Sequence, residues 1–237
     1  MPENYIGIMC GTSLDSLDLS LCDFEKNKKI RYFKSYRIHQ SLRDKINECK
    51  KYPNRKQLFS ETDELTTEFI INSLRKFIAT SKTKKISAIG YPGITIIHNP
   101  KKKISKTLGN PIIIAKESGQ RVVADFRLTD MKHGGQWAPL APYFHEYILS
   151  KSKNFLNFIN LGGFANLTYR SNNKLMAFDT GPANYLIDEV SKKYFNKDFD
   201  KNGLLAKKGK INDKALVSML SDKYFYQDPP KSTGFEK

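Results

Sequence analysis

Long apolar runs, paired cysteines and clustered histidines are all scarce in this sequence. No run approaches the roughly 18 apolar residues of a membrane span, and the N-terminus lacks the basic and then apolar order of a secretory signal. The three cysteines and four histidines lack the spacing of a disulfide framework or a zinc site. We therefore expect a cytoplasmic protein without a membrane partner, a disulfide or a zinc centre.

Acidic residues are outnumbered, since 40 Lys and Arg face 24 Asp and Glu and give a net charge of +16 at pH 7. This balance favours an anionic partner, either nucleic acid or a small anionic ligand. The lysines are spread along the whole chain, and no basic stretch alternates with aromatic residues as in nucleic-acid modules. We expect a small anionic ligand and no nucleic acid, with nucleic-acid binding as the weaker alternative.

What the sequence does contain is a mixed order of strand and helix patterns, with 39% hydrophobic residues over 237 positions. That is enough for a folded core, and no repeat of solenoid type occurs. Predicted helices span 41–50, 58–80, 111–118, 140–150 and 213–222, and predicted strands span 5–10, 18–24, 29–38, 86–90, 94–98 and 121–124. A strand, glycine turn and strand follow over 155–170, and a strand, turn and helix over 174–190.

The stretch YIGIMCGTSLDSLDLSLCDF, residues 5–24, places glycine, hydroxyl and carboxylate residues between two apolar segments. One interpretation is an ordinary hairpin turn, since Gly, Ser and Asp are common turn residues. The other is a phosphate-binding loop, because small residues let an anion approach converging backbone N–H groups. The glycine turn within 155–170 echoes this pattern, as two related lobes around a nucleotide cleft would. On the residues alone, both interpretations stay open.

Six motifs occur in order along the chain: GTSLDSLD from Gly11, GNP from Gly109, DFRLTDMKHGGQWAPLAPYFH from Asp125, NLGGFAN from Asn160, FDTGPAN from Phe178 and PPKSTG from Pro229. In this order and spacing they resemble the anhydro-N-acetylmuramic acid kinases, which belong to the actin-like, hexokinase and Hsp70 ATPase superfamily. The resemblance implies an α/β fold of the actin-like ATPase (ribonuclease H-like) type, with two lobes of which the second is incomplete here.

The same resemblance implies a cytoplasmic sugar kinase of cell-wall recycling. It would use ATP, Mg²⁺ and water to open the 1,6-anhydro bridge of anhydro-N-acetylmuramic acid and phosphorylate the freed oxygen, giving N-acetylmuramic acid 6-phosphate. The first lobe would span 1–153, with a phosphate loop at 11–18 and a sugar-site motif at 125–140. The partial second lobe would span 154–237, with a phosphate turn at 160–166 and a catalytic motif at 178–184.

By resemblance, nine residues would contact the nucleotide: Gly11, Thr12, Ser13, Leu14, Asp15, Asp18, Gly162, Gly163 and Asn166. Asp15 or Asp18 would orient water on Mg²⁺, which keeps several waters and takes few protein ligands. The alternatives are a plain hairpin turn at 11–18 and a bulged hairpin at 160–166.

Asp179 would be the general base that takes a proton from the water attacking the anomeric carbon. Its alternative role is the cap of the following helix. Arg127 would bind the lactyl carboxylate of the sugar or the transferring phosphate, and its alternative is an ion pair with Asp125 or Asp130. Five residues would line the sugar site, namely Gly134, Gly135, Gln136, Gly181 and Asn184. His98 and His145 are expected to serve packing.

The chain departs from the family pattern where Ser16, Trp137 and Ala183 replace glycine and where Tyr91, Pro92 and Ile94 replace a Ser, a His and a Gln. If those glycines have positive φ, each replacement strains the backbone by about 1 kcal/mol or more. Family chains also continue past PPKSTG with segments that embrace the adenosine. We therefore expect no measurable kinase turnover from the 237-residue chain by itself, unless a homodimer completes the cleft. The alternatives to a kinase are a catalytically decayed sugar-binding or nucleotide-binding protein on the same lobes and a basic nucleic-acid binder.

Overall fold

A computed structural model describes residues 4–11, 13–24, 29–83, 85–99, 104–132, 141–151, 157–171, 174–229, 231 and 233. The chain divides into two compact units, residues 1–138 and 139–237. This boundary precedes the helix at 141–151, whereas the lobes predicted from the sequence divide after residue 153. Within the described residues, no helix has both the length and the apolar character that crossing a bilayer requires.

The elements follow one another in mixed order, as the sequence predicts. The strands are β1 (Asn4–Cys10), β2 (Ser16–Asp23), β3 (Lys29–Arg37), β4 (Ala88–Gly90), β5 (Ile94–Asn99), β6 (Ile104–Leu108), β7 (Val122–Val123), β8 (Asn157–Leu161), β9 (Phe164–Ser171) and β10 (Lys174–Pro182). The helices are α1 (Gln40–Lys51), α2 (Lys56–Ser81), α3 (Pro111–Ser118), α4 (Phe126–Lys132), α5 (Ala141–Lys151), α6 (Asn184–Phe195) and α7 (Asp213–Leu220). Short 3₁₀ turns lie at Lys201–Gly203, Ala206–Lys208 and Lys223–Tyr226.

The first unit is built on a five-stranded sheet in the order β3-β2-β1-β4-β7. β1, β2 and β3 pair antiparallel, and β4 and β7 continue the sheet parallel to β1. Along β2, buried residues alternate with partly exposed ones, because successive side chains of a strand point to opposite faces. Three antiparallel strands followed by parallel ones are the arrangement of a ribonuclease H-like lobe, so the predicted α/β fold class is confirmed.

α2 supplies much of the core of the first unit. Ile70, Leu74 and Phe77 are each 0% exposed and share one apolar cluster with Ile6 and Leu19 of the sheet. The positions of these three residues follow the helical repeat, so they form one apolar stripe. Burying them against the sheet stabilises the unit by roughly 2 kcal/mol per side chain.

The GNP motif forms the turn that connects β6 to α3. Gly109 has a φ of +90°, and its N–H donates to Asp63 Oδ1 at 2.7 Å. Asn110 caps α3, because its side chain accepts the first two helical N–H groups after Pro111. Pro111 occupies the first turn, where no N–H is needed. The turn and the start of α3 therefore explain why Gly, Asn and Pro occur at these three positions.

The second unit contains a three-stranded antiparallel sheet in the order β10-β9-β8. Its core includes Leu149, Ala165 and Tyr224. α6 and α7 expose many large apolar side chains, among them Leu186, Ile187, Val190, Tyr194, Leu216, Val217, Met219 and Leu220. Apolar surface on this scale is typical of a face that another structure covers.

One helix was not predicted. The sequence predicts only a polar patch over residues 125–132, whereas residues 126–132 form helix α4 in the structure. This helix starts where Asp125 adopts a φ of 57° and its carbonyl accepts the N–H of Thr129 at 2.9 Å. Seven residues give too few turns for helical periodicity to stand out in the sequence. The strand predicted at 121–124 is also shorter, at two residues.

Candidate active site

Gly11 and residues 13–15 lie in the loop that joins β1 to β2, just beyond the paired residues Cys10 and Leu17. The Leu14 N–H donates to the Gly11 carbonyl at 3.1 Å, which closes a tight turn. Gly11 and Ser13 are exposed, while Thr12 lies outside the described residues. The loop therefore presents small residues and a hydroxyl to solvent, as an anion-binding turn requires.

Leu14 anchors this loop in the core of the first unit. Its side chain is 1% exposed and belongs to the apolar cluster that includes Ile38, Leu42 and Ile46. Its φ is 58°, a conformation that costs a leucine about 1 to 2 kcal/mol. Burial of the side chain offsets this cost. A contact between Leu14 and a nucleotide, as predicted, could therefore involve only its backbone.

The two carboxylates of the loop region have different surroundings. The Asp15 side chain is 73% exposed and lies 3.6 Å from the guanidinium of Arg43. Asp18 lies within β2, where its Oδ1 accepts the hydroxyl of Ser16 at 2.8 Å. The exposed Asp15 suits a contact to metal-bound water, which needs few direct protein ligands. No group of three or more His, Cys, Asp or Glu suited to hold a metal directly occurs among the described residues.

Cys10 precedes the loop, and its surroundings hold the thiol in the neutral form. Burial raises its pKa to about 11; Lys50 opposes this rise, and Asp18 and Asp15 add to it. At pH 8 about one thiol in a thousand is then ionised, against about a quarter for an ordinary cysteine. Cys10 is therefore a poor nucleophile at neutral pH, since the thiolate is the reactive form.

We expect the rate of Cys10 alkylation by iodoacetamide to rise about tenfold per pH unit between about pH 7 and pH 9.5, because the thiolate fraction grows in that proportion below the pKa. Peptide mass spectrometry measures the modified fraction over time. Free cysteine is the control, and its rate levels off near its own pKa of about 8.5. A plateau for Cys10 below pH 9 would contradict the assignment.

Gly162 and Gly163 form the turn between β8 and β9, and this turn holds the start of α6. The Gly162 carbonyl accepts the N–H of Asn184 at 3.0 Å, and the Gly163 carbonyl accepts that of Tyr185 at 3.1 Å. The Asn184 side chain donates its Nδ2 to the Leu161 carbonyl at 2.8 Å. The turn and Asn184 thus have a structural role in fixing α6, and their contacts with phosphate and sugar stay predictions.

Asp179 lies in β10, directly opposite Asn166 of β9. The strand register shifts just after Asp179, where Thr180 is the extra residue of a β-bulge. Bulges bend a strand locally and redirect its side chains. The Asp179 Oδ2 accepts the backbone N–H of Thr233 at 3.1 Å. The structure therefore brings together Asn166 and Asp179, and it orients the carboxylate with a backbone donor.

The alternative role of Asp179 as a helix cap is wrong. α6 begins at Asn184, and its N-cap is Ala183, four residues after Asp179. The hydrogen bond to the Asp179 carboxylate comes instead from Thr233. The capping position is displaced because β10 continues to Pro182 before the helix starts.

The positive φ that would strain the backbone at the replaced glycines does not occur at two of them. Ser16 lies in β2, and Ala183 has a φ of −128°. The left-handed φ values fall on neighbouring residues instead, at Leu14 (58°) and Gly181 (148°). The third replacement, Trp137, lies outside the described residues.

Arg127 lies in α4 of the first unit, and burial lowers the pKa of its guanidinium from the ordinary value. A guanidinium still keeps its charge at neutral pH, so Arg127 retains the chemistry to bind a carboxylate or phosphate. The remaining residues of the predicted sugar motif, Gly134, Gly135 and Gln136, lie outside the described residues.

His145 has a packing contact, as expected. Its ring stacks on Phe158 with centroids 4.3 Å apart and planes 4° from parallel. Burial lowers its pKa, which favours the neutral ring. His98 lies in β5 opposite Ser105 of β6.

Tyr224, which contacts Asp179 from 45 residues away, is a residue that the sequence did not predict for this site. Its hydroxyl donates to the Asp179 carbonyl at 2.6 Å. Lys231 also reaches this strand, since its carbonyl accepts the Asp179 N–H at 3.0 Å. Lys231 and Thr233 belong to the PPKSTG motif, which is the one sequence signal that marks this contact; nothing in the sequence around Tyr224 does.

The chain matches the family model described as anhydro-N-acetylmuramic acid kinase over residues 3–237. Curated relatives named anhydro-N-acetylmuramic acid kinase include proteins of Sulfurimonas denitrificans (38% identical, 100% of this chain and 65% of the relative), Hydrogenovibrio crunogenus (33%, 97% and 64%) and Coxiella burnetii (38%, 99% and 65%). This chain thus spans just under two thirds of the length of these relatives.

Among solved structures, a reductive activator for a corrinoid, iron-sulfur protein superposes with a TM-score of 0.42 at 15% identity, over 76% of this chain and 32% of that one. That likeness is too low to carry an argument. The family match and the relatives agree with the six motifs, and the chain belongs to the anhydro-N-acetylmuramic acid kinase family.

Proposed function

We propose that the protein is an ATP-dependent sugar kinase that opens 1,6-anhydro-N-acetylmuramic acid with water and phosphorylates it to N-acetylmuramic acid 6-phosphate. The observation that carries the proposal is the placement of Asp179 at a β-bulge, with its Oδ2 hydrogen-bonded to a backbone N–H at 3.1 Å. A fixed carboxylate of this kind suits a general base, which must lie within one hydrogen bond of the proton that it removes.

The proposed reaction has one proton to remove and one phosphoryl group to place. The water oxygen bonds to the anomeric carbon while the bond between that carbon and O6 breaks, and the proton of the water passes to the Asp179 carboxylate. O6 then bonds to the γ-phosphorus of ATP while the bond between that phosphorus and the β–γ bridging oxygen breaks, and ADP leaves with the electron pair of that bond. Asp179 is an acceptor in this step because an ionised carboxylate has no proton to donate.

The phosphates of ATP are proposed to contact the loop at Gly11 and Ser13, both of which are exposed. Asp15 fits a water-mediated contact to Mg²⁺ because its carboxylate is 73% exposed and Mg²⁺ usually retains several waters. Charge neutralisation and positioning supply most of the catalysis of phosphoryl transfer. The net charge of +16 favours approach of the anionic nucleotide and sugar.

Two further sets of contacts belong to the proposal. Gly162, Gly163 and Asn166 would contact phosphate from the second unit, beyond the structural role of the turn in holding α6. Arg127 would pair with the lactyl carboxylate of the sugar or with the transferring phosphate, since a guanidinium matches planar oxyanions with two parallel hydrogen bonds. We also propose that the protein is cytoplasmic and that it can form a homodimer.

The test uses the full-length natural protein that contains these residues, with ATP, Mg²⁺ and the anhydro sugar. We expect ADP to form only when both ATP and the anhydro sugar are present, with N-acetylglucosamine as the control sugar. Calorimetry in parallel reports binding without turnover. Sugar binding without ADP formation would indicate a decayed binding protein, and salt-sensitive retention of duplex DNA without sugar binding would indicate a nucleic-acid binder; either result contradicts the proposal.

A further inference from the structure

Asp179 is contacted at three groups by one segment, of which the structure describes residues 222–229, 231 and 233; we name these residues the clamp. The Tyr224 hydroxyl donates to the Asp179 carbonyl at 2.6 Å, and the Asp179 N–H donates to the Lys231 carbonyl at 3.0 Å. The Thr233 N–H donates to the Asp179 carboxylate at 3.1 Å. The clamp therefore contacts the main-chain donor, the main-chain acceptor and the side chain of one residue.

The place of β10 at the edge of its sheet explains why these groups are available. In an antiparallel pair, alternate residues of a strand direct both the N–H and the carbonyl away from the neighbouring strand, and an edge strand has no second neighbour to bind them. Asp179 is opposite Asn166 of β9, yet its N–H and carbonyl bond to Lys231 and Tyr224. The clamp thus supplies the hydrogen-bond partners that the sheet does not.

The clamp is itself ordered by local contacts. Asp222 begins its 3₁₀ turn, because its side chain accepts the Tyr224 N–H at 2.8 Å. Lys231 Nζ closes the other end by donating to the carbonyls of Tyr224 at 3.0 Å and Phe225 at 3.3 Å. The same ammonium lies 4.8 Å from the centroid of the Tyr224 ring, a cation–π distance.

Two packing contacts seat the clamp on the strand. Tyr224 is 8% exposed. A Cβ at Gly181 would lie 2.9 Å from Phe225 Cε1, so the glycine leaves room for that ring. Burial raises the pKa of Tyr224 and the nearby Asp179 carboxylate raises it further, which keeps the phenol protonated as a donor at neutral pH. The hydrogen bond from Tyr224 and the packing of Phe225 therefore act on Asp179 and Gly181, two positions apart in β10.

We propose that Tyr224 is a positioning residue for Asp179, and that the clamp sets the direction of the Asp179 carboxylate. Tyr224 acts through the Asp179 backbone and does not touch the reacting atoms. This inference rests on the proposed function, in which Asp179 is the general base. A loss of orientation lowers the rate of proton removal more than the binding of the sugar, because misplacement of a reacting group affects the transition state.

The kinetic test compares Tyr224→Phe with Tyr226→Phe in the full-length protein. Both changes remove one hydroxyl from the same 3₁₀ turn, but Tyr226 is 77% exposed. We expect Tyr224→Phe to lower kcat about five- to tenfold, the order expected for one hydrogen bond, with KM for the sugar changed less than about twofold. Tyr226→Phe should match the wild type. Equal kcat values in the two variants would overturn the proposal.

A second measurement does not depend on catalysis. Amide hydrogen exchange of Asp179 reports opening of its bond to the Lys231 carbonyl, and we expect about fivefold faster exchange in Tyr224→Phe than in Tyr226→Phe. Lys231→Met keeps the apolar stem but removes the ammonium that closes the clamp. We therefore expect faster exchange of the Asp179 amide and a lower kcat in this variant too. Unchanged exchange in both variants overturns the clamp. A wild type without kinase activity overturns the proposed function instead, and the exchange data then decide the clamp separately.

Discussion

Replacing Asp179 with asparagine is expected to lower the rate of sugar phosphorylation at least about a hundredfold, as loss of a general base typically does. The amide has nearly the same shape as the carboxylate, and its oxygen can still accept the Thr233 N–H that now binds Oδ2 at 3.1 Å. It cannot take a proton from water at neutral pH. The change therefore removes the chemistry and retains the local structure.

The matched control is Asp198→Asn, which makes the same substitution at an exposed position of the second unit. We expect it to retain the wild-type rate, and both variants to unfold within about 1 kcal/mol of the wild type. Turnover is measured as product formed per enzyme at saturating ATP and sugar. A rate for Asp179→Asn within about threefold of the control would remove Asp179 from the role of base.

Replacing Gly109 with alanine is expected to destabilise the first unit by about 3 kcal/mol or more. A Cβ at this position would lie 2.1 Å from Tyr91 Oη and 2.7 Å from Ile70 Cδ1. Tyr91 is 1% exposed and its hydroxyl donates to the Leu108 carbonyl at 2.6 Å, so it has little room to move. The φ of +90° adds backbone strain for any residue with a Cβ.

Gly119→Ala separates the backbone cost from the steric cost. Gly119 ends α3 with a φ of +64°, and among the described residues no heavy atom, its chain neighbours aside, lies within 4 Å of a Cβ built there. We expect this control to lose only about 1 kcal/mol. Urea unfolding followed by circular dichroism measures both variants. Equal losses in the two would show that the packing around Tyr91 and Ile70 yields to the added methyl group.

The hairpin with a loop at 11–15 is predictable because it rests on local signals. Apolar alternation on both sides sets the strands, and Gly11 and Ser13 mark the turn. The buried anchor Leu14 is not predictable in the same way, since a left-handed leucine is uncommon and its burial depends on α1 and β5. Local patterns therefore give the loop but not the residue that fixes its shape.

Around Asp179, too, the local elements are predictable from the sequence and the contacts with distant residues are not. The strand and the helix after it follow from the apolar pattern of KLMAFDTGPANYLIDEV. The bulge after Asp179 and the hydrogen bond from Tyr224 depend on contacts between residues far apart in the chain, 45 positions for this pair. A single sequence contains no periodic signal for such contacts. The resemblance to the kinase family singled out Asp179 as the candidate base. The structure shows which residues hold it in place.

The most direct test of the proposed kinase activity is the fate of oxygen during a short reaction in ¹⁸O-labelled water with the full-length protein, ATP, Mg²⁺ and 1,6-anhydro-N-acetylmuramic acid. Mass spectrometry identifies the sugar product and the ³¹P NMR signal reports label in its phosphate. The proposal predicts N-acetylmuramic acid 6-phosphate with ¹⁸O at the anomeric carbon and none in the phosphate group. Labelled inorganic phosphate with an intact anhydro sugar would contradict it, because water would then have attacked ATP and not the anomeric carbon.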